Sequence, residues 1–338
     1  MSKIWEKNLR YTILRHYVNW NTVSSYSSFT VEGIPPADGR SVIIAPNHSN
    51  TLLDAMVILK AWPDTCVFGA RADVFKKPAV AKILRFLRIV PIARIRDGLR
   101  NVAQNLEVIT EVQDVLSHKA AFCIFPEGRH RAMHSLLPMQ KGVARIALEH
   151  AEAEPTCIIP AGIDYTDFFH YRGKCRVRFG EPIDVNALAA SCTDAPKAEV
   201  YDKIREELFN RLSGLITYAP DDENYEKRIA ELMPPEPARW WRWPLAVVTL
   251  PFFIISAVLT LPLWAVAEYL CHFKVKDPAF RNTVRFGLRL GGLPLMFIIW
   301  AVLGFVFLSP LAAVCLLVYL LFSYDIFYDW LNLVRKKK

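Results

Sequence analysis

Residues 41–54 read SVIIAPNHSNTLLD and join a strand pattern to a helix pattern. The first five residues are mainly apolar and β-branched, which predicts a buried strand, whereas a helical spacing of apolar residues begins at Thr51. His48 therefore lies in the turn between a strand and a helix. In an open α/β sheet, such turns line a cleft at the carboxyl ends of the strands. We expect His48 to face that cleft.

Residues 121–129, AFCIFPEGR, repeat the arrangement of an apolar strand that ends in polar side chains. Glu127 and Gly128 close the strand and lead into Arg129. A turn of this composition presents backbone N–H groups and a guanidinium, and both bind anions. Together with His48, the turn indicates base-assisted transfer onto an anionic acceptor. The alternative interpretation is an ordinary solvated turn.

Between residues 41 and 217, short apolar runs alternate with amphipathic stretches. This alternation predicts an α/β fold with a mixed, mostly parallel sheet flanked by helices. The strand candidates are residues 41–45, 66–70, 89–92, 120–125, 156–163 and 174–179, and the helix candidates are residues 51–61, 78–87, 99–117, 140–151 and 196–217.

His48 and Asp54 form the candidate catalytic pair. A neutral imidazole takes a proton from a hydroxyl at about pH 7, and a carboxylate on its other nitrogen fixes the tautomer. A purely structural alternative is open, since residues 51–54, TLLD, match a capping box in which Asp54 serves the helix N-terminus. His130 and His134 are four residues apart, but their neighbours complete no ligand pattern, so we expect no metal.

The 338-residue chain is apolar and basic, with 53% hydrophobic residues and a formal net charge of +8. Residues 239–338 hold 11 Lys or Arg and 4 Asp or Glu, a net of +7, which leaves a net of +1 for residues 1–238. Basic residues beside long apolar runs indicate contact with anionic lipid and argue against nucleic acid as a partner. The seven cysteines include no CxxC pair, so we expect free thiols and a reducing compartment.

Two apolar blocks follow a polar, proline-rich linker and predict a C-terminal helical membrane-embedded region. The first block, 244–270, has one charged residue, Glu268, and the second, 290–333, is divided at Ser309-Pro310. Basic residues precede the first block, separate the two and end the chain. The positive-inside tendency would keep all three basic segments in the cytoplasm. We therefore predict a re-entrant first block, bent at Pro251 or Pro262, and a hairpin for the second.

The N-terminal segment mixes apolar, aromatic and basic residues. It is typical either of an interfacial helix on the bilayer or of a helix packed on the domain, and it lacks the features of a cleaved signal peptide. The predicted organisation is an amphipathic helix at 1–24, an α/β domain at 25–218, a helix and linker at 219–243, and the membrane region at 244–334.

In their order and separation, the two motifs resemble those of the glycerolipid acyltransferases of the 1-acylglycerol-3-phosphate acyltransferase (PlsC) type. The resemblance covers residues 25–185. Further stretches resemble blocks of that family in the same order: residues 69–75 (GARADVF), 90–94 (VPIAR), 140–144 (QKGVA) and 158–162 (IIPAG).

The resemblance implies a role for each matching residue. His48 and Asp54 are the implied catalytic pair. Two features depart from the family's pattern: five residues rather than four separate His48 from Asp54, and the family's arginine after the Glu-Gly turn aligns with His130. Arg129 or Arg131 would then replace that arginine. The implied phosphate-binding residues are Arg94, Glu127, Gly128, Arg129 and Arg131, and the supporting residues are Asn47, Arg71, Lys141 and Pro160.

The implied reaction moves a fatty acyl group from a thioester to the free hydroxyl of a lysophospholipid, most directly 1-acyl-sn-glycerol 3-phosphate, giving phosphatidate. The donor, acyl-CoA or acyl-ACP (acyl carrier protein), is a co-substrate, and no bound cofactor is expected. The implied partners are that donor and membrane lipids, with no nucleic acid and an open oligomeric state. The implied location is the bacterial inner membrane or its equivalent, with the catalytic domain on the cytoplasmic side.

Three alternatives stay open at this point. The acceptor is glycerol 3-phosphate in the first and a non-glycerol lysolipid in the second. The third is an inactive acyltransferase-like lipid-binding protein, which the longer spacing between His48 and Asp54 favours.

Overall fold

A computed structural model describes residues 3–33, 38–92, 102–192, 195–234 and 240–335 of the chain. Eight strands within these residues form one sheet in the order β1-β7-β6-β2-β5-β3-β4, with β8 paired to β6. The strands are β1 (Ser28–Glu32), β2 (Ser41–Pro46), β3 (Cys66–Arg71), β4 (Ile89–Ile92), β5 (Ala121–Cys123), β6 (Thr156–Tyr165), β7 (Lys174–Phe179) and β8 (Ile183–Asp184).

Most neighbouring strands of this sheet run parallel. The antiparallel pairs are β6 with β7 and β6 with β8. The fold is therefore the predicted mixed, mostly parallel sheet. Since β2 and β5 are parallel neighbours, with Ile44 opposite Cys123, the turns that follow them lie together at one edge of the sheet.

Helices pack on both faces of the sheet, and further helices follow it toward the C-terminus. They are α1 (Leu9–Ser24), α2 (Leu52–Ala61), α3 (Pro78–Phe86), α4 (Val102–Ser117), α5 (Lys141–Ala151), α6 (Val185–Ala190), α7 (Lys197–Leu215), α8 (Tyr225–Leu232), α9 (Arg242–Leu259), α10 (Leu261–Phe273), α11 (Arg281–Phe307) and α12 (Pro310–Val334).

Alternation along the strands divides the core into two layers. Ile44 points to the layer that holds α1, α2 and the C-terminal helices, whereas Ile43 points to the layer that holds α5 and α7. Both side chains are fully buried. The C-terminal helices thus pack on the face of the α/β domain toward which Ile44 points.

The predicted elements coincide with the observed ones to within a few residues at each end. The short pair β8 and α6 was not predicted, because a two-residue strand leaves no period to detect. The prediction for residues 99–117 agrees with α4 from residue 102 onward. Residues 93–101, which include Arg94, lie outside the described residues.

Three segments are long and apolar enough to cross a membrane: Arg242–Leu259, Pro278–Phe307 and Pro310–Val334. Pro251 lies inside α9 without ending it, and the chain breaks instead at Thr260, with Pro262 in the first turn of α10. Of the two predicted bends, the one at Pro262 is therefore correct. The division of the second block is also correct, because Ser309 caps α12.

The start of α9 and the end of α10 lie on the same side of the C-terminal unit (residues 240–335). At the start of α9, Arg242 donates to the carbonyl of Asn332 across 3.0 Å. At its end, the Leu259 carbonyl accepts from the indole of Trp300 across 3.0 Å. Near the end of α10, the thiol of Cys271 donates to the carbonyl of Arg281, the first residue of α11. Helices α9 and α10 therefore double back at Thr260, and a re-entrant path in the membrane stays a prediction.

The arginines between the apolar blocks differ from the expectation of a basic loop. Arg285 and Arg289 lie inside α11 and are buried. Arg285 forms a two-pronged ion pair with Glu268 of α10, and Arg289 forms one with Asp325 of α12. Helix α11 begins nine residues before residue 290, and its first turns bring these charges into pairs instead of leaving them to solvent.

Candidate active site

His48 lies in the turn after β2, where Asn47 fixes the end of the strand. The Asn47 side chain accepts from the N–H of Ile163 at 2.7 Å and donates to its carbonyl at 3.1 Å. This clamp joins β2 to β6 one residue before His48. The His48 ring stacks on Phe125, with the ring centroids 4.3 Å apart, and its side chain is 17% exposed. The ring is thus held in place but partly exposed.

Asp54, in the first turn of α2, orients the His48 ring. Its Oδ2 lies 2.8 Å from His48 Nδ1 and accepts from the N–H of Asn50 at 2.7 Å. Its Oδ1 accepts from the hydroxyl of Tyr165 at 2.7 Å. The carboxylate is fully buried. These bonds place the Nδ1 proton of His48 toward Asp54, and Nε2 has no partner among the residues that the structure describes.

Tyr165 was not singled out in the sequence. It ends β6, a strand whose ten residues are all buried, and burial raises the pKa of its hydroxyl well above the ordinary value. The hydroxyl therefore stays protonated and donates to Asp54. A polar tip at the end of an otherwise apolar strand was the available signal, since a buried tyrosine hydroxyl needs a partner.

Thr51 has an unusual backbone conformation in this turn. Its φ is +52° and its ψ is −126°, a positive-φ conformation that β-branched residues rarely adopt. Its hydroxyl lies 2.7 Å from the hydroxyl of Thr283 in α11 and makes no capping bond to α2. The capping-box alternative is therefore wrong, because Thr51 contacts the C-terminal unit and Asp54 faces His48.

Glu127 supports the loops and does not face a ligand. It is 4% exposed, and its two oxygens accept from the N–H groups of His48 at 2.7 Å and Leu137 at 2.8 Å. Burial raises the pKa of this carboxyl from an ordinary 4.5 to about 7, against the lowering effect of those two bonds. The prediction that groups Glu127 with the phosphate-binding residues is corrected accordingly, since a buried carboxylate bonded to backbone holds the turn of His48 in place.

Gly128 completes a tight turn. Its φ is +69°, and a Cβ there would lie 3.1 Å from the side chain of Gln140. Its N–H donates to the Phe125 carbonyl at 3.1 Å within the turn. This N–H is therefore committed to the backbone, and the prediction that Gly128 binds the anion is corrected to a conformational role.

Arg129 and Arg131 differ in what they contact. Arg131 pairs with Asp221 and donates to Ser135 at 3.0 Å, while its own N–H donates to the His48 carbonyl. It therefore braces the loop, which argues against Arg131 as the head-group ligand. Arg129 is exposed beside it and has no ion pair among the described residues. Of the two, Arg129 is the one whose guanidinium is available to an anion.

The connection between α10 and α11 forms part of the site, which the sequence did not indicate. His130 Nε2 lies 3.0 Å from Asp277 Oδ2, and Phe280 meets the edge of the His130 ring at a centroid distance of 5.1 Å. The His130 ring is in turn 5.8 Å from the ring of His48. The C-terminal unit thus reaches the first neighbours of the candidate base.

The supporting residues are spread around the site. Pro160 is buried in β6 beside Ala45 of β2. Arg71 is exposed and pairs with Asp73 at 2.5 Å. Lys141 is exposed at the start of α5. The structure brings Asn47, His48, Asp54 and the turn at 127–131 together, and Arg94 lies outside the described residues.

Residues 28–164 match the family model described as Acyltransferase. The chain is therefore similar to this family over these residues, which make up about two fifths of its length. The match confirms the resemblance carried by the motifs, and it includes both His48 and the turn after β5. The family domain ends within β6, so the C-terminal unit lies beyond it.

Two relatives of this acyltransferase domain differ in their named acceptors. Over 120 residues the chain is 32% identical to glycerol-3-phosphate O-acyltransferase 2 of Saccharomyces cerevisiae, covering 35% of this chain and 16% of that protein. Over 162 residues it is 25% identical to the 1-acyl-sn-glycerol-3-phosphate acyltransferase alpha of Mus musculus, covering 46% of this chain and 53% of that protein. The chain thus matches about one sixth of the first relative and about half of the second.

Among solved structures, the 1-acyl-sn-glycerophosphate acyltransferase PlsC of Thermotoga maritima is similar to the chain, with a TM-score of 0.43 and 21% identity. The similarity covers 61% of this chain and 79% of that one.

Proposed function

We propose that the protein is a membrane-bound O-acyltransferase that moves a fatty acyl group from a thioester to the free hydroxyl of 1-acyl-sn-glycerol 3-phosphate, giving phosphatidate. One observation carries the proposal. His48 Nδ1 is bonded to the buried Asp54 at 2.8 Å, while Nε2 is unpartnered among the described residues and the side chain is 17% exposed. A neutral imidazole held in this way is a general base.

In the proposed reaction, His48 Nε2 takes the proton of the acceptor hydroxyl as the hydroxyl oxygen attacks the thioester carbonyl carbon. The tetrahedral intermediate then collapses, the carbon–sulfur bond breaks, and the thiolate takes the proton back from His48. No covalent acyl-enzyme is needed, because the thiol is a good leaving group. Asp54 and the hydroxyl of Tyr165 stabilise the imidazolium that forms between the two steps.

The anionic head group of the acceptor is proposed to lie between the two loops that flank His48. Arg129 is exposed there without an ion pair among the described residues, and His130 lies beside His48. A guanidinium binds a phosphate with two parallel hydrogen bonds. Arg94 completes this set by resemblance alone.

An acceptor with an acyl chain is favoured by the position of the C-terminal unit. Thr283 and Asp277 of this unit contact the loops of the site, and the helices beyond them expose apolar side chains such as Val302 and Phe307. An acceptor embedded in a bilayer would therefore reach the cleft at the point where the domain meets the membrane. We propose that the catalytic domain lies on the cytoplasmic side of the cell membrane.

Glycerol 3-phosphate is the second candidate acceptor. The specific observation that favours it is the 32% identity to the yeast glycerol-3-phosphate O-acyltransferase, which is higher than the 25% identity to the mouse relative. The donor, acyl-CoA or acyl carrier protein, is left to experiment.

The test is an assay of the detergent-purified full chain with each donor and each acceptor in turn, followed by mass analysis of the lipid product. We expect phosphatidate from 1-acyl-sn-glycerol 3-phosphate, and a loss of product in His48→Ala. If product forms only from glycerol 3-phosphate, then glycerol 3-phosphate is the acceptor. No product from any pair would favour the inactive lipid-binding alternative.

A further inference from the structure

A groove of about 750 Å³ runs along α1 at the opposite edge of the sheet from His48. One wall is a face of α1 that includes Tyr11, Arg15 and Trp20. The other wall is the segment from Trp62 to Thr65, which joins the end of α2 to the start of β3. Because β2 and β3 both run parallel to β5, this segment lies at the end of the sheet that the catalytic turns do not occupy. The groove is therefore separate from the candidate active site.

The groove carries an excess of basic residues over acidic ones. Its lining includes one acidic residue, Asp64, and five basic ones. Within the part of the chain that the structure describes, none of the five has an ion pair. The five basic residues are Lys7, Arg15, His16, Lys60 and Arg88.

Arg88 and Arg15 are the fixed cations of this set. Arg88 is only 5% exposed, and its guanidinium lies 4.1 Å over the ring of Tyr11. Arg15 donates to the carbonyls of Leu59, Trp62 and Asp64 at the end of α2. Burial lowers the pKa of Arg88, and the charge of Arg15 lowers it further. Two guanidiniums held in a groove without a counter-ion are an unfavourable arrangement that a bound anion would relieve.

Apolar surface continues from the groove in two directions. On α1, Leu9 and Ile13 are 75% and 62% exposed. At the far end of α1, Trp20 lies 4.6 Å over the guanidinium of Arg289, and Tyr17 donates to the Leu290 carbonyl of α11 at 2.6 Å. The groove is thus continuous with a helix of the C-terminal unit.

Helix α3 extends this surface on the other side. Its residue Phe86 meets the ring of Tyr11 edge-on, with the centroids 6.4 Å apart. None of the residues of α3 is buried, and Val80 and Ile83 are exposed on the same helix as Lys82. An amphipathic basic helix of this kind is typical of a membrane surface.

We propose that this groove binds the head group of an anionic phospholipid. The exposed Lys7 and Lys60 contact the phosphate, and the guanidiniums of Arg15 and Arg88, which donate to backbone carbonyls, add positive charge around it. The acyl chains extend along the exposed apolar residues of α1 toward α11. A small anion would satisfy the charge but not the adjoining apolar surface, and the continuity with α11 places the groove at the membrane boundary. The lipid bound there fixes α1 and α3 on the bilayer and so orients the domain. The proposal stands apart from the acyl-transfer reaction, because no residue of the groove contacts His48.

The test measures thermal stabilisation of the full chain in a neutral detergent, because a ligand that binds only the folded state raises the melting temperature once its concentration exceeds its dissociation constant. His48→Ala is the background, so that turnover plays no part. The additives are dihexanoyl phosphatidylglycerol, dihexanoyl phosphatidylcholine, inorganic phosphate and coenzyme A. We expect stabilisation by phosphatidylglycerol and none by phosphatidylcholine.

Charge reversal locates the site. Lys7→Glu/Lys60→Glu changes two exposed residues of the groove, and Lys174→Glu/Lys227→Glu changes two exposed lysines elsewhere that have no ion pair among the described residues. We expect the concentration of phosphatidylglycerol that gives a fixed rise in melting temperature to increase about tenfold in the groove variant and to be unchanged in the control. Both variants should melt like the parent without lipid, which shows that the fold is intact.

Three results would overturn the proposal. Equal stabilisation by phosphatidylcholine would remove the requirement for an anion. A shift by inorganic phosphate or coenzyme A that the groove variant abolishes would assign the groove to a soluble anion or to the donor. An unchanged response to phosphatidylglycerol in the groove variant would place the lipid elsewhere.

Discussion

His130 Nε2 and Asp277 Oδ2 lie 3.0 Å apart, although 147 positions separate the two residues in the chain. Their contact joins the turn after β5 to the connection between α10 and α11. The candidate site is therefore built by two parts of the molecule, the acyltransferase domain and the C-terminal unit. The C-terminal unit contacts His130, whose ring lies 5.8 Å from the ring of His48.

Asp277→Asn tests whether this contact serves the acceptor. The amide keeps the cap on the 3₁₀ turn, where Oδ1 accepts from Ala279, but removes the charge that holds His130. We expect the KM for the acceptor to rise about threefold to fivefold, the range that an exposed ion pair provides, with kcat nearly unchanged. Steady-state kinetics with the acceptor varied measures both constants.

Asp221→Asn is the matched control. Asp221 pairs with Arg131 of the same loop, and its side chain is 51% exposed, as is that of Asp277. We expect this control to leave the KM for the acceptor unchanged. An equal rise in both variants would mean that the loop is merely loosened.

The sequence predicts the sheet well and the far half of the site poorly. Strands such as 174–179 are short apolar runs bounded by turn residues, so their periodicity is local and readable. Asp277 and Thr283 carry no such signal, because polar residues in a predicted basic loop are ordinary until packing brings them to His130 and Thr51. Contacts between distant segments depend on tertiary structure that one sequence does not display.

Tyr165→Phe tests the hydrogen bond behind the catalytic pair. Removing the hydroxyl leaves Oδ1 of the buried Asp54 without its partner, which costs about 1–3 kcal/mol. We expect kcat to fall about tenfold, with the KM values of both substrates unchanged. Tyr201→Phe, on α7 at the other face of the sheet, should retain full activity. If Tyr165→Phe also retains it, Asp54 orients His48 without help.

Glu127→Gln tests the support of the His48 turn through pH. Because the pKa of Glu127 rises from 4.5 to about 7 on folding, the folded state holds this proton more tightly than the unfolded state does. The stabilisation that the proton gives is fully present below pH 4.5 and is lost as the pH rises to about 7.

The glutamine variant cannot titrate, so the advantage of the parent over Glu127→Gln should shrink across that pH window and then stay constant. The variant should also be less stable throughout, since its amide N–H₂ would face a backbone N–H. Melting temperatures of the parent and the variant, measured in detergent over this range of pH, provide the comparison. A constant difference would show that Glu127 has an ordinary pKa.

Arg289 and Asp325 test how firmly the C-terminal helices hold together. Arg289 is fully buried, so removing either partner alone leaves a buried charge and should cost about 3–5 kcal/mol. The double variant Arg289→Met/Asp325→Leu should cost less than the sum of the single variants. Thermal unfolding of the parent, the two single variants and the double variant completes the cycle.

Breaking the exposed ion pair of Lys197 and Glu152 is the control and should cause no measurable change in stability. Costs that simply add at Arg289 and Asp325 would contradict a coupled pair.

The bend in the first apolar block shows a second limit of sequence reasoning. Pro251 and Pro262 are equal candidates by composition, yet only Pro262 stands where α10 begins. Pro251 lies inside a continuous α9, so the chain tolerates a proline in that helix without ending it. The choice between two such prolines depends on packing, as Trp300 against the last carbonyl of α9 illustrates.

The assignment of His48 as the general base is tested by the rate of acyl transfer of His48→Ala and of the parent, purified and assayed side by side. A general base contributes about 10²–10⁴-fold, so we expect the rate of product formation to fall by about a factor of 10³ while the melting temperature is unchanged. A variant that folds like the parent and retains a rate within about twofold of it would contradict the assignment of His48 as the base.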